Sequence, residues 1–365
     1  MRTPIYKIIR TTHQESVAAE KDILRQVAEC ELTPIRVVFF SAIDTNEEYT
    51  TQLKRISHLT NEIFGERKPM IALVAQAPLD GNLVAEATFV EGEAGVCYNE
   101  EYITIDNEMI FTCGIISSLE ESIGNQAEAV FSHIDTILKQ EGYATNDIVR
   151  QWNFIEQITH ISPQGQHYQQ FNDARSRFYE GAEWHNGYPA ATGIGTKRGG
   201  VMVMLVALRN SAEQSRPIDN PLQQSAHAYS QRVLIEGSSP NRKTTPKFER
   251  ARWVGEKEQM IYISGTAAIR GEESLQSDLL KQTAITMENI DQLISHNSQL
   301  QHNIPTIANY GYEVLRVYLK HTTDWQEVKH WLEKNYNCEQ TIYLEADICR
   351  EELLIEIESI AKPEK

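Results

Sequence analysis

The run Leu353-Leu354-Ile355-Glu356-Ile357-Glu358, close to the end of a 365-residue chain, holds the most chemically suggestive spacing in the sequence. In a strand, alternate side chains point to opposite faces, so Leu353, Ile355 and Ile357 share one face and Leu354, Glu356 and Glu358 the other. The first face reads as core. The second can carry a carboxyl group held away from bulk water, and such a group has the raised pKa that a general acid needs near neutral pH. Taken alone, the segment is more simply a solvated glutamate on a sheet face, because glutamate is rarely buried. Cys349, seven residues before Glu356 in Ala346-Asp347-Ile348-Cys349-Arg350, reads alone as an inert buried thiol.

Other chemistries have weaker support. The cysteines (Cys30, Cys97, Cys113, Cys338 and Cys349) form no CxxC pair, which fits reduced thiols in a cytoplasm better than a disulfide framework or a zinc site. The histidines are scattered and show no HExxH spacing, so no metal and no cofactor are expected. Gly193-Ile194-Gly195 resembles the start of a dinucleotide loop, but Arg198 stands where the third glycine should be. A formal net charge of -17 argues against nucleic acid or an anionic membrane surface, both of which need a basic patch. No apolar run is long enough to span a bilayer, the longest being Val201 to Leu208.

The elements that would position these residues occur twice. Met109-Ile110-Phe111-Thr112-Cys113-Gly114 and Met260-Ile261-Tyr262-Ile263-Ser264-Gly265 are short apolar strands ending in a small residue and glycine. Each leads to a glutamine-led amphipathic helix, Gln126 to Gln140 and Gln282 to Ser295, with apolar residues at helical spacing. Strands follow at Ile148 to Ile158 and Glu313 to Leu319, then helices at Tyr168 to Tyr179 and Trp325 to Tyr336. Each copy closes on two strands: Ala190 to Gly195 with Val201 to Leu208, and Thr341 to Asp347 with Leu353 to Glu358. The length calls for two or three compact units. The expected division is residues 1–105, an N-terminal extension or subdomain, then 106–235 and 236–365. Residues 1–105 contain strands at Arg36 to Ala42 and Pro69 to Ala75, the latter in a hairpin-like run to Val90; their fold is left open, a third sheet-and-helix unit being one option.

The repeated order, with Ser264-Gly265 and the terminal Glu-Ile-Glu strand, resembles the RidA (YjgF) fold. That resemblance implies an α+β architecture of tandem domains, with helices packed on one face of mixed sheets and a site between domains. The motifs Asn186-Gly187-Tyr188-Pro189-Ala190-Ala191-Thr192-Gly193-Ile194-Gly195, Ser264-Gly265-Thr266-Ala267, and Ala346 to Arg350 with Leu354 to Glu358 together resemble the chorismatases, of the FkbO and 3-hydroxybenzoate synthase kind. Arg150-Gln151-Trp152-Asn153 and Tyr168 to Arg175 fit the same pattern. Two departures occur: Ala268 stands where the family has serine, and Gly271-Glu272-Glu273-Ser274 where it has Gly-His-Glu-Ser.

The resemblance implies cleavage of chorismate to pyruvate and a ring acid. Glu356 matches the family's catalytic glutamate, the donor that protonates the enolpyruvyl methylene carbon. Cys349 matches the position at which members releasing 3-hydroxybenzoate carry cysteine, so the sequence leans toward that product. Chorismate is a dianion, and guanidinium forks suit carboxylates; Arg150 and Arg175 are the candidates, with Tyr168 and Tyr188 as hydroxyl donors and Thr192, Gly265 and Thr266 in the binding motifs. A monomer or a RidA-like trimer is expected. The alternatives are a RidA-type enamine or imine deaminase, or a non-catalytic RidA-like binding protein. The first is disfavoured because Pro189-Ala190-Ala191-Thr192 lacks the carboxylate-holding arginine of simple RidA proteins.

Overall fold

The computed structural model describes residues 2–116, 118–234, 244–255, 259–305 and 307–364. The order strand, helix, strand, helix, strand, strand occurs three times in it. The first pass is β1 (Ile5–Arg10), α1 (Ser16–Ala28), β2 (Thr33–Ser41), α2 (Asn46–Phe64), β3 (Met70–Val74) and β4 (Leu83–Val90). The second follows two added strands, β5 (Val96–Tyr98) and β6 (Tyr102–Ile105). It comprises β7 (Met109–Ile116), α3 (Ile123–Gln140), β8 (Ile148–Glu156), α4 (His167–Tyr179), β11 (Ala190–Thr196) and β12 (Val201–Leu208), with a small hairpin of β9 (Ile161–Ser162) and β10 (Gly165–Gln166) before α4. A one-turn α5 (Ser211–Gln214) leads to the third, again with two added strands, β13 (Ser215–Ile218) and β14 (Ala251–Val254). Its elements are β15 (Met260–Ala267), the short β16 (Ile269–Arg270) and β17 (Glu273–Ser274), α6 (Leu279–Ile294), α7 (His296–Gln301), β18 (Tyr310–Leu319), α8 (Trp325–Asn335), β19 (Thr341–Glu345) and β20 (Ile355–Pro363).

Sheet topology makes the repeat explicit. The three sheets run β3-β2-β4-β1, β11-β8-β12-β7-β6-β5 and β19-β18-β20-β15-β14-β13. In each, the second and third strands of the repeat pair in parallel (β2 with β3, β8 with β11, β18 with β19), and the last strand inserts antiparallel between the first and second. The α+β tandem architecture expected from the repeat is therefore present, and the N-terminal segment left open in the sequence is a third, four-stranded version of the unit. The hairpin expected toward Val90 does not form: β4 pairs with β1 and β2 instead of β3. Sheet membership also crosses the expected division, since β5 and β6 lie before residue 106 but extend the second sheet, and β13 lies before 236 but extends the third. The junction at 235 and 236 itself lies outside the described residues.

Each pair of helices covers the outer face of its own sheet with its own apolar core, as Ile123, Val130, Phe131, Ile134 and Phe171 do for the second unit. The inner faces of the three sheets converge on one shared core that includes Tyr6, Phe40, Phe111, Trp152, Tyr262 and Tyr318. An edge strand of one sheet meets an inner strand of the next at each junction, β3 against β7, β11 against β15, and β1 against β18. Helix α3 starts before the glutamine expected to open it, capped by Ser122, which accepts from the Asn125 amide; α6 is capped by Asp278, which accepts from Lys281. Gln126 and Gln282 have another use. Their Oε1 atoms accept the backbone N–H of Val201 and Leu354, each at 2.9 Å, and so fix the start of β12 and β20.

Candidate active site

Strand β20 is central, paired with β15 and β18, and in that register Glu356 lies between Ala267 and Tyr318. Ile355 and Ile357 point into the helix-side core as the alternation requires, while Leu353 precedes the strand and lines a cavity instead. Both glutamates on the opposite face are buried, Glu356 at 5% and Glu358 at 3% exposure. Glu356 faces the cavity. Burial pushes its carboxyl up to about 8, the nearby negative charge of Glu358 adds to the shift, and Arg250 and Arg150 oppose it.

Glu358 is held the other way. Tyr318 donates to its Oε1 at 2.8 Å and the Arg316 Nη1 at 2.9 Å, while Arg150 and the Thr192 hydroxyl contact its Oε2. These cations and donors outweigh desolvation and keep its pKa below the ordinary carboxylate value. Arg316 also engages Glu86 of β4 through Nε, at 2.8 Å, and Nη2, at 2.5 Å.

The cavity sits at the seam between the second and third units. One wall comes from α4 and β11, with Tyr168, Gln169, Asn172, Ala191 and Gly193; the other comes from β15 and the loop before β20, with Gly265, Ala267, Cys349, Arg350 and Glu356. The connecting chain adds Tyr229, Val233, Leu234, Pro246, Phe248 and Arg250. Four motif residues stitch the seam: the Ser264 hydroxyl accepts the Ala191 amide at 2.9 Å, and the Thr192 hydroxyl accepts the Gly265 amide at 3.0 Å. Gly265 must be glycine here, because a Cβ would overlap the Glu356 Oε1 and come within 3.0 Å of Glu356 Cδ and Thr192 Cγ2. Gly193 leaves space for the Tyr168 ring, whose Cε2 would be 3.1 Å from a Cβ.

Of the residues singled out from the sequence, Glu356, Cys349, Tyr168 and Gly265 line the cavity. Burial pushes the Cys349 thiol up to about 12, with the Glu356 charge adding to it, so the group is a neutral thiol at physiological pH. The Tyr168 phenol is likewise raised by burial. Five others do not line the cavity. Arg150 is committed to Glu358 and Thr192 and lies over the Trp152 ring. Arg175 stands one layer back, donating to Asn172 at 2.6 Å. Tyr188 stacks with Tyr179, Trp184 and His227 in a packing cluster. Thr192 and Thr266 serve the seam and the backbone, the Thr266 hydroxyl donating to the Ser264 carbonyl at 2.8 Å.

The cationic residues in the cavity are Arg250 and Arg350, which the motifs did not single out as ligands. Both lie beside the Tyr229 ring, 5.6 and 5.3 Å from its centroid. Arg250 donates to the Tyr229 hydroxyl and to the Gln224 carbonyl, each at 2.6 Å, and its buried Nε has no partner among the described residues. Arg350 is braced by the Glu272 carbonyl at 2.9 Å and the Ser274 hydroxyl at 3.0 Å. Two guanidinium groups flanking a phenol, with a protonatable carboxyl and a thiol on the same cavity wall, suit an anionic ligand that is to receive a proton.

The pseudo-symmetry supplies an internal control. The cleft between the first and second units is lined by Tyr49, Leu53, Ala72, Cys113, Gly114 and Met202. Met202 faces Phe154 on β8 as Glu356 faces Tyr318 on β18, and the matching position on β4 is Val84, opposite Phe40. At this position of the repeat only the third unit carries a carboxyl, although Glu100 and Glu101 also line the cleft between the first two units. Among the described residues no group of three or more His, Cys, Asp or Glu could hold a metal ion, and no helix is long and apolar enough to cross a membrane.

Comparison with known proteins agrees with this geometry. The family model described as chorismatase FkbO/Hyg5-like, N-terminal, matches residues 91–207. A 3-hydroxybenzoate synthase of Streptomyces hygroscopicus is 30% identical over 307 residues, which is 80% of this chain and 83% of that protein. The chain belongs to the chorismatase family. A chorismatase of Streptomyces rapamycinicus is also 30% identical, over 240 residues, 64% of this chain and 68% of the relative. A crystal structure of a chorismatase superposes with a TM-score of 0.76 at 20% identity, covering 98% of both chains, and so shares the whole three-unit fold of this family member.

Proposed function

We propose that the protein is a chorismatase: it cleaves the enolpyruvyl ether of chorismate to release pyruvate, with Glu356 as the proton donor and 3-hydroxybenzoate as the ring product. The observation that carries this reading is a buried Glu356 carboxyl, pushed up to about 8, facing a cavity that also holds Arg250 and Arg350. Protonating the methylene carbon needs an acid that is neutral at working pH and rigidly aimed, and a central strand supplies the rigidity. The resulting oxocarbenium ion takes up water, and the hemiketal collapses to pyruvate. Arg250 and Arg350 hold the substrate carboxylates, in place of the Arg150 and Arg175 expected from the sequence, whose side chains do not line the cavity.

The neutral Cys349 thiol on the cavity wall supports 3-hydroxybenzoate, as does the relative named for that product. The two ring outcomes differ by one water. Pyruvate and a dihydroxycyclohexadienoate together equal chorismate plus water, whereas pyruvate and 3-hydroxybenzoate equal chorismate alone, because the ring must also lose a hydroxyl group as water. The chain is divided functionally into a first unit to about residue 90, a second from 96 to 208, and a third from 215 to 363 that carries the acid. Three units in one chain complete the ring of sheets around the shared core, which favours a monomer. The test is to supply chorismate and follow pyruvate by a coupled dehydrogenase assay while the ring product is separated by chromatography. Stoichiometric pyruvate and 3-hydroxybenzoate are expected; absence of pyruvate from folded protein would refute the reading.

A further inference from the structure

The first unit gives no side chain to the cavity, yet Glu86 on β4 reaches the neighbourhood of Glu356 through two intervening residues, Arg316 and Glu358. Glu86 is 1% exposed and takes two of the Arg316 nitrogens, Nε at 2.8 Å and Nη2 at 2.5 Å; the third, Nη1, goes to Glu358 at 2.9 Å. Glu358 is two residues from Glu356 on the same strand face. The chain of contacts Glu86, Arg316, Glu358, Arg150 draws one or more residues from each of the three units, and all are buried.

We propose that Glu86 is a positioning residue for the proton donor: by occupying Arg316 it offsets that cation and limits the positive charge that acts on Glu356. The charge count gives the sign. Arg316, Arg150 and Arg36, all over the Trp152 ring, face Glu86 and Glu358, so one cation is already in excess, and removal of either carboxylate adds a second, which favours the ionised form of Glu356 and silences it as an acid. The groups facing this centre are Arg316 and Tyr318 from β18, Arg150 from β8, Thr192 from β11, Arg36 from β2, Tyr6 from β1, Tyr262 from β15 and Arg250 beside β14. Burial of a carboxylate and guanidinium pair is by itself weak evidence of a stabilising role, whereas removing one partner strands the other.

The inference rests on Glu356 as the acid but is read without turnover. Infrared absorption of the protonated Glu356 carboxyl, identified as the band lost in Glu356→Gln, is followed against pH in the substrate-free protein of wild type, Glu86→Gln, Glu358→Gln and the charge-neutral pair Glu86→Gln with Arg316→Gln. Deprotonation is expected about one pH unit lower in Glu358→Gln and lower by a smaller amount in Glu86→Gln. The neutral pair should return close to wild type, which a merely structural contribution of Glu86 would not produce. An unchanged midpoint in Glu86→Gln, or one equally displaced in the neutral pair, would overturn the proposal. If Glu86→Gln does not fold, Glu358→Gln and the neutral pair decide it. Failure of the chorismatase reading would appear separately, as intact titration without pyruvate.

Discussion

Glu356 and Glu358 stand two residues apart on one face of β20, yet the first is held toward its neutral form and the second toward its ionised form. Both are buried, so burial alone does not separate them. What separates them is that Glu358 receives Arg316, Tyr318, Thr192 and Arg150, whereas Glu356 faces the cavity. The ionised Glu358 in turn raises the Glu356 carboxyl, so the two groups are held in opposite protonation states side by side.

This arrangement fixes the pH dependence of the reaction. On the proposed role Glu356 must be protonated, and its carboxyl is raised to about 8, so activity should hold through neutrality and fall as pH rises through about 8. The same raised value means that its contribution to folding stability is present below the ordinary glutamate range and is lost as pH rises toward 8. A kcat profile with an alkaline limb near that value, beside a melting profile over the same range, checks both statements.

Gly265→Ala should disable the site without unfolding the protein. The added methyl group overlaps the Glu356 carboxyl and presses on Thr192, both side chains rather than backbone. A misplaced acid costs about 100-fold in kcat, and circular dichroism with a turnover assay would separate that loss from misfolding.

Truncating Arg350 should act on binding. Its guanidinium is braced by Glu272 and Ser274 at the cavity wall, and a hydrogen bond to a charged ligand group contributes about 1.5–3 kcal/mol. Arg350→Ala is therefore expected to raise KM by about 10- to 100-fold with a smaller change in kcat, and Arg350→Lys to restore part of it. Arg150→Ala, by contrast, should reduce stability because buried Glu358 loses one of its two cationic partners and keeps only Arg316, visible as a lowered Tm.

Cys349→Ala tests the ring chemistry. The thiol is neutral and touches the cavity, so its removal should leave pyruvate release within a few-fold of wild type and shift the ring product from 3-hydroxybenzoate toward the diene-diol. Mass analysis of the ring product, which differs by one water between the two outcomes, reads the partition directly.

Much of the fold was legible because the second and third units repeat strong local signals, apolar strands ending in a small residue and glycine and amphipathic helices with a stripe of aliphatic residues. The first unit carries no such glycine-terminated strand, and its β1 and β4 pair with each other across most of the unit, which local pattern does not reveal. Glu356, Cys349, Tyr168 and Gly265 were recoverable as motif residues. That Arg150 is engaged away from the cavity was not legible, because its partner Glu358 lies 208 positions away on another unit. Arg250 was missed because Lys247-Phe248-Glu249-Arg250-Ala251-Arg252 reads as a solvated charged run; it is buried because β14 joins the edge of β15 and lays Arg250 against Tyr229.

The most direct measurement is pyruvate release from chorismate by wild type and by Glu356→Gln in parallel, with chorismate binding to the variant measured by calorimetry. The account predicts rapid release by wild type, and unchanged binding with turnover lost in the variant. Turnover by Glu356→Gln at a rate close to wild type would contradict it.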